Sequence, residues 1–374
     1  MKEIKFGFDS YVRDGDTIWF TFPEIPAIGK FDCKEKTGTL EKMIPVTKGF
    51  ADLYSFAALY EGRIIFLPFL DDKVSIYDTD TEILRTIPLP FVPQEKRICY
   101  WILYRDYAVV FSNMGEDNVL LFDFNSMCFQ PLKKMTREFS NIFEGESTRD
   151  FVARSGGNSI VVLDKKGKKL VFLSEYADVV KNVTLESLPF MPLDVFWIDN
   201  SVWLNTFDST SIFQLILDEK EKLIEYPSDS QEFIMDDMHY YPYSFIAGWN
   251  DHIIAVNSSK KHPSIVTKNR LVDLPTSDEY DCGLRGFGFG GMYSYVMPYE
   301  EKLFVLNYKS NRMLLLDCSM KIIEEIPADI EIEDEIWETI RSEVFHTRLI
   351  LHETSYMSLK DLLRQENDSQ EESV

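Results

Sequence analysis

The stretch SFAALY (55–60), Glu61-Gly62, RIIFLPF (63–69), LDD (70–72), KVSIYD (73–78) and ILRTIPLP (83–90) decides the architecture. It reads as an apolar strand, a tight turn and a second apolar strand. A short polar gap, a third strand ending in an acidic residue and a fourth strand closing on proline follow. The unit recurs along the chain. With the second residue of each first turn as a marker, the series is Gly15, Gly62, Asp106, Gly157, Asn200, Asp251 and Glu301, spaced by 47, 44, 51, 43, 51 and 50 residues. Each marker precedes a β-rich run: TIWFTF, RIIFLPF, YAVVFS, SIVVLD, SVWLNT, HIIAVN and KLFVLN. Third and fourth strands follow every one, from AIGKFD and TLEKMIPV in the first unit to RMLLLD and KIIEEIPA in the last.

Seven four-stranded units of this length predict an all-β, seven-bladed propeller over residues 1–329. A lone four-stranded sheet has two apolar faces and can bury neither. Stacking the sheets radially buries both, and closing the ring removes the end blades that an open array must cap. Near-continuous apolar strands such as YAVVF and RMLLL suit sheets covered on both sides. A pair of β-sandwiches would not produce seven like units in a row. Two routes to closure are open: packing of whole blades alone, or addition of residues 2–6 as an outer strand on the last blade.

KVSIYDTDTEIL, VLLFDFNSMCF and RMLLLDCSMKII resemble the end of a Kelch-type blade, where an aromatic–Asp pair precedes a turn and an apolar anchor six residues on. The matching pairs are Asp78 with Leu84, Asp123 with Phe129, Asp218 with Ile224, and Asp317 with Ile323. The family diglycine occurs as Gly156-Gly157, and no tryptophan stands at the anchor. The chain is therefore similar to a divergent Kelch-like propeller. The acidic residue is expected to accept hydrogen bonds from backbone N–H groups of its turn.

Beyond the ring, IEIEDEIWETIRSEVFH places Ile332, Ile336, Ile340 and Val344 at a spacing of four, and MSLKDLLRQ repeats the signal behind Ser358. A helical extension over 330–364, docked on the ring, and a mobile acidic tail over 365–374 are expected.

The chain carries 39 Lys+Arg against 62 Asp+Glu, a formal charge of −23. That balance argues against nucleic acid and anionic membranes, which both demand clustered cations. No run approaches the length of a membrane span or a signal-peptide core. Five scattered cysteines without a CxxC pair read as unpaired thiols, so a cytoplasmic protein is the expectation. No phosphate-cradling GxxxxGK[ST], HExxH, paired-cysteine or GxSxG signature is present, and the sequence calls for no metal and no cofactor.

Loops joining one blade's last strand to the next blade's first share a face with the second-to-third strand loops, around the channel mouth. Two of these are long: SDSQEFIMDDMHYYPY (228–243) and TSDEYDCGLRGFGFGGM (276–292), which bracket blade six. They offer Asp236, Asp237, His239, Tyr240, Tyr241, Asp278, Glu279, Tyr280, Asp281 and Arg285, and blade two adds Asp71 and Asp72. Tyrosines beside carboxylates and an arginine suit a protein interface, or a sugar whose face stacks on a ring and whose hydroxyls donate to carboxylates. The expected function is a non-catalytic propeller scaffold binding a protein or glycan-related partner through the loop-rich face of blades five to seven. The alternative is a carbohydrate-active or small-molecule hydrolase or lyase with carboxylates at the channel mouth, which needs two carboxylates roughly 5–10 Å apart in a closed pocket, one with a raised pKa.

Overall fold

A computed structural model of the chain describes residues 2–5, 7–8, 10–22, 25–45, 54–69, 71–90, 100–104, 106–111, 119–137, 151–156, 159–164, 168–174, 179–185, 192–198, 201–206, 209–217, 222–228, 243, 245–256, 262–276, 293–307, 312–338 and 340. The chain opens with β1 (Lys2–Lys5) and enters blade one, formed by β2 (Ser10–Asp14), β3 (Thr17–Thr21), β4 (Ala27–Asp32) and β5 (Thr37–Met43). Blade two holds β6 (Tyr54–Tyr60), β7 (Arg63–Pro68), β8 (Lys73–Asp78) and β9 (Ile83–Pro88). Blade three holds β10 (Tyr100–Leu103), β11 (Tyr107–Phe111), β12 (Val119–Asp123) and β13 (Cys128–Pro131). In blade four come β14 (Phe151–Gly156), β15 (Ser159–Asp164), β16 (Lys169–Ser174) and β17 (Val179–Thr184). Blade five has β18 (Pro192–Ile198), β19 (Ser201–Thr206), β20 (Ile212–Ile216) and β21 (Lys222–Tyr226). Blade six has β22 (Phe245–Trp249), β23 (His252–Val256), β24 (Ser264–Val266) and β25 (Leu271–Asp273). Blade seven has β26 (Tyr293–Tyr299), β27 (Lys302–Asn307), β28 (Arg312–Leu316) and β29 (Ile322–Pro327), after which β30 (Asp329–Ile332) returns to blade one.

Within each blade the strands are antiparallel neighbours in sequence order, so the expected seven-bladed propeller is what the chain forms. Seven clusters of buried side chains occupy the seven interfaces between blades. The strand period of two explains how one strand serves two of them. In β15, Ile160 and Val162 pack toward blade three while Val161 and Leu163 pack toward blade five. All four are fully buried, at about 25 cal/mol per Å² of apolar surface removed from water. This is the physical meaning of the near-continuous apolar runs. Gly29 belongs to the same logic, since a Cβ there would stand 2.4 Å from the buried ring of Phe20.

The ring closes by a route that neither sequence expectation named. β30 leaves blade seven and adds to the outer edge of β5 in parallel, with Ile330 opposite Gly38 and Glu331 opposite Thr39. β1 then pairs antiparallel with β30, giving a six-stranded sheet in the order β1-β30-β5-β4-β3-β2. Residues 2–5 therefore do add an outer strand, but to the sheet of blade one. Ile330 and Ile332 are buried in the cluster shared by blades seven and one, and a helical turn at 334–338 adds Trp337 to it. Ile340 is buried there as well. The rest of the extension lies outside the described residues. Among those described, no helix is long and apolar enough to cross a membrane.

Among the described residues, one end of the ring carries tight turns. Glu61, Gly62, Asn250 and Asp251 all have positive φ, as first-turn residues of a hairpin require. The third-to-fourth strand turns are built on the acidic residue singled out in the sequence. Asp78 Oδ1 accepts from Thr81 N at 2.8 Å, Asp123 Oδ1 from Ser126 N at 2.7 Å, and Asp317 Oδ1 from Ser319 N at 2.9 Å and Lys321 N at 3.0 Å. Asp32 does the same for Lys34 and Glu35. Hydroxyl and amide donors hold the carboxyls of Asp78, Asp123 and Asp317 below the ordinary range. Of the apolar anchors, Leu84, Phe129 and Ile224 are partly buried between blades, but Ile323 is 47% exposed. A register shift between Leu315 and Leu316 pairs Leu316 with Ile322 and turns Ile323 to the opposite face. Asp218 lies outside the described residues.

Candidate functional site

The opposite end, which carries the longer connections, rests on a buried polar layer. In blade two, Tyr54 OH donates to Asp71 Oδ2 at 3.0 Å and lies 2.7 Å from Ser75 Oγ. Tyr54 has one proton, so Ser75 is the donor of the second bond. In blade six the pattern returns. Ser264 Oγ donates to Asp273 Oδ1 at 2.7 Å, leaving Tyr243 OH to donate to Ser264 over 3.5 Å. Tyr54 and Ser75 are 21 residues apart, and so are Tyr243 and Ser264. This Tyr–Ser spacing is a signal that the sequence carries.

Between blades two and three, Trp101 Nε1 donates to the Pro68 carbonyl at 2.7 Å. Between blades four and five, Arg154 on the inner strand pairs with Asp194 on the next inner strand at 2.6 Å, both side chains partly buried. A belt of rings runs along the inner strands: Phe196 to Phe245 at 5.4 Å, Phe245 to Tyr295 at 6.1 Å, and Tyr295 to Tyr11 at 5.1 Å. Tyr11 OH donates to the Val296 carbonyl, and burial pushes its phenol well above the usual range.

The sequence-derived candidates divide in two. Asp236, Asp237, His239, Tyr240, Tyr241 and Arg285 lie outside the described residues, and so do Asp278, Glu279, Tyr280 and Asp281. The roots of their two connections are described. The first leaves blade five where the Pro227 carbonyl accepts from Leu271 N at 2.8 Å and Ser228 bridges to Leu271. It enters blade six at Tyr243, fully buried, whose carbonyl accepts from Asn205 Nδ2 at 2.5 Å. The second begins at Thr276, whose backbone N–H donates to His262 Nδ1 at 3.1 Å. His262 thus fastens this root. At the same end of blade five, Asn205 Oδ1 and Thr206 Oγ1 are buried without a hydrogen-bond partner among the described residues. Strand alternation turns them toward opposite faces of the blade.

Asp71 and Asp72 are described. Asp71 is 3% exposed, and its second oxygen accepts from Asp72 N at 2.8 Å. The Asp72 carbonyl in turn accepts from Leu89 N. The Asp71 carboxylate faces inward, tying the second-to-third strand loop to the inner strand. Burial raises its pKa, and the bonds from Asp72 N and Tyr54 only partly oppose that. A carboxyl whose folded pKa is raised contributes stability that is complete below its unfolded value and is lost as pH rises through the folded one. Wild type is therefore expected to gain stability relative to Asp71→Asn as pH falls from neutrality through the raised folded pKa toward the ordinary carboxylate value. Urea unfolding of both proteins across that interval checks it, and a constant difference would sink the assignment.

No protein-family model matches the chain and no curated protein matches its sequence. Solved structures do resemble its fold. A catalytically inactive virginiamycin B lyase from Staphylococcus aureus with quinupristin shares 12% identity at a TM-score of 0.58, over 88% of this chain and 99% of that one. A streptogramin B lyase shares 12% at 0.56, over 82% and 94%. The Myceliophteria thermophila Cps50 (Swd1) β-propeller domain shares 11% at 0.51, over 85% and 99%. At these identities the likeness is one of fold. It extends over nearly the whole of each neighbour, and the neighbours include both lyases and a propeller domain not named as an enzyme.

Proposed function

We propose that this propeller is a non-catalytic scaffold that takes a protein or glycan-related partner on its long-loop face around blades five to seven. Asp236, Asp237, His239, Tyr240, Tyr241 and Arg285 supply the contacts in this reading. The observation that carries it is the asymmetry between the two ends of the ring. One end is used up by turns of a few residues whose donors and acceptors satisfy one another. At the other, the first long connection returns at the buried Tyr243, whose carbonyl accepts from Asn205, and the second starts at the buried Thr276, whose N–H donates to His262. Rigid roots under long polar and aromatic connections are how propellers and other scaffolds present adaptable contacts. The acidic body favours a partner with basic or neutral polar character, and association that weakens with salt.

Asp71 does not serve the catalytic alternative. Its pKa is raised, but both oxygens are engaged inside the blade, so it stabilises a loop rather than meeting a substrate.

Affinity capture with wild type and with the combined variant Asp236→Ala, Tyr240→Ala and Arg285→Ala tests the proposal. The variant is expected to melt like wild type and to lose at least tenfold in partner recovery. Retention of every partner by a folded variant would show that the surface is wrongly chosen.

A further inference from the structure

Blade six fastens the root of the second long connection with two successive ties, and only one of them can titrate. Leu274 N donates to the Pro263 carbonyl at 2.8 Å. Two residues on, a side chain takes over the part of the carbonyl: Thr276 N donates to His262 Nδ1 at 3.1 Å, and Thr276 Oγ1 lies 2.8 Å from the same nitrogen. Thr276 is 7% exposed, so its N–H has little access to water as a substitute partner. A backbone N–H only donates. The nitrogen that receives it must offer a lone pair, which assigns the ring proton of a neutral His262 to Nε2. A carbonyl keeps its lone pairs at every pH, and an imidazole nitrogen does not. A proton on Nδ1 turns this acceptor into a donor. The Thr276 hydroxyl can accept that proton, but the Thr276 N–H then faces an N–H and loses its partner.

The charged and titratable groups that the surrounding strands carry at this end of the ring are engaged elsewhere. Asp273 of β25 accepts from Ser264 Oγ at 2.7 Å, and Tyr243 OH meets the same serine. Arg312 and Glu325 of blade seven pair with each other at 2.9 Å. Glu225 of blade five accepts from Ser211 Oγ at 2.7 Å. In the sequence Lys260 and Lys261 precede His262, while Asp278 and Glu279 follow Thr276, so charges of both signs flank the tie.

We propose that His262 is a pH-sensitive clasp on the root of the second long connection, closed while Nδ1 carries a lone pair and released when that nitrogen takes up a proton. The clasp does not depend on what the long connections bind. Linkage gives its direction. Closing requires the neutral ring, so the open form binds the proton more readily. The protection that the clasp gives is complete above the ordinary histidine value of about 6.5 and is lost as pH falls through the folded one.

Hydrogen exchange of the full chain, read amide by amide and divided by the intrinsic rate at each pH, tests it. Global unfolding would mix His262 with Asp71, whose contribution runs the other way. Between about pH 7.5 and about pH 5.5, one unit either side of the ordinary value, Thr276 is expected to lose about tenfold in protection relative to Leu274, whose acceptor does not titrate. His262→Asn sets a carbonyl oxygen where Nδ1 stands and is expected to keep Thr276 protected at both pH values. His262→Ala is expected to leave Thr276 as poorly protected at the higher pH as wild type is at the lower. Nitrogen–proton correlation spectra of the wild-type imidazole at neutral pH are expected to place its proton on Nε2. A proton on Nδ1 there overturns the proposal. So does an unchanged Thr276, an equal loss at Thr276 and Leu274, or the wild-type pH dependence in His262→Asn.

Discussion

Trp337→Ala is expected to destabilise the protein by about 3–5 kcal/mol, the range for truncating a large buried aromatic where the surroundings cannot collapse. Trp337 is 2% exposed and sits among Ile330, Ile332, Ile340 and the facing residues of blades seven and one. Its helical turn is pinned by a bond from its own N–H to the Glu333 carbonyl at 2.9 Å. A cavity there loosens the helical turn and also β30, which β1 and β5 both use as their partner. The same interface is also tied by Tyr299 OH to Asp16 Oδ1 at 2.9 Å, by Tyr11 OH to the Val296 carbonyl at 3.1 Å and by the ion pair of Lys36 with Glu324. The effect should therefore reach the first blade. Hydrogen exchange in residues 37–43 is expected to rise together with the loss measured in urea. Glu338→Ala, exposed on the same turn, is the control and is expected to change stability by less than about 0.5 kcal/mol. A loss below about 1 kcal/mol for Trp337→Ala would show that the segment after blade seven decorates the ring without holding it shut.

That closure was hidden in the sequence for a physical reason. Residues 329–340 satisfy two periods at once. Ile330 and Ile332 alternate as a strand does, while Ile332, Ile336 and Ile340 recur at the spacing of a helix. The chain uses the first period up to Ile332 and then turns helical at 334–338. Local pattern cannot decide where the switch falls, because the deciding partner is β5, almost 300 residues away. The blades were legible because their information is local: an apolar run, a turn with positive φ, an acidic residue bonding its own turn. Ile323 shows the limit of that information, since one extra residue in the β28–β29 register reverses its face without changing the motif. The candidate site was legible only as topology. Which connections share an end of the ring follows from strand order. The Asp71 carboxylate turned inward because Tyr54, on a different strand, offered it a proton.

Trp101 joins this polar layer to the core, and its replacement should separate the two contributions. The side chain is 1% exposed, packs in the cluster between blades two and three with its ring 6.5 Å from that of Phe129, and donates Nε1 to the Pro68 carbonyl. Trp101→Ala is expected to cost about 3–5 kcal/mol through lost burial and the cavity left behind. Trp101→Phe keeps much of the volume but removes the donor from a buried carbonyl, at about 1–3 kcal/mol. Pro68 ends β7, and Asp71 lies three residues on, so the tryptophan fixes where the loop carrying the buried carboxyl begins. If indole, loop and carboxyl act as one unit, Trp101→Phe and Asp71→Asn will not add. A double-mutant cycle is then expected to give an interaction of at least about 0.5 kcal/mol, because a loop already released at Pro68 has less to lose from a change at Asp71. Strict additivity would confine Trp101 to filling space between blades two and three, and the tie across that interface would be the aliphatic and aromatic packing alone.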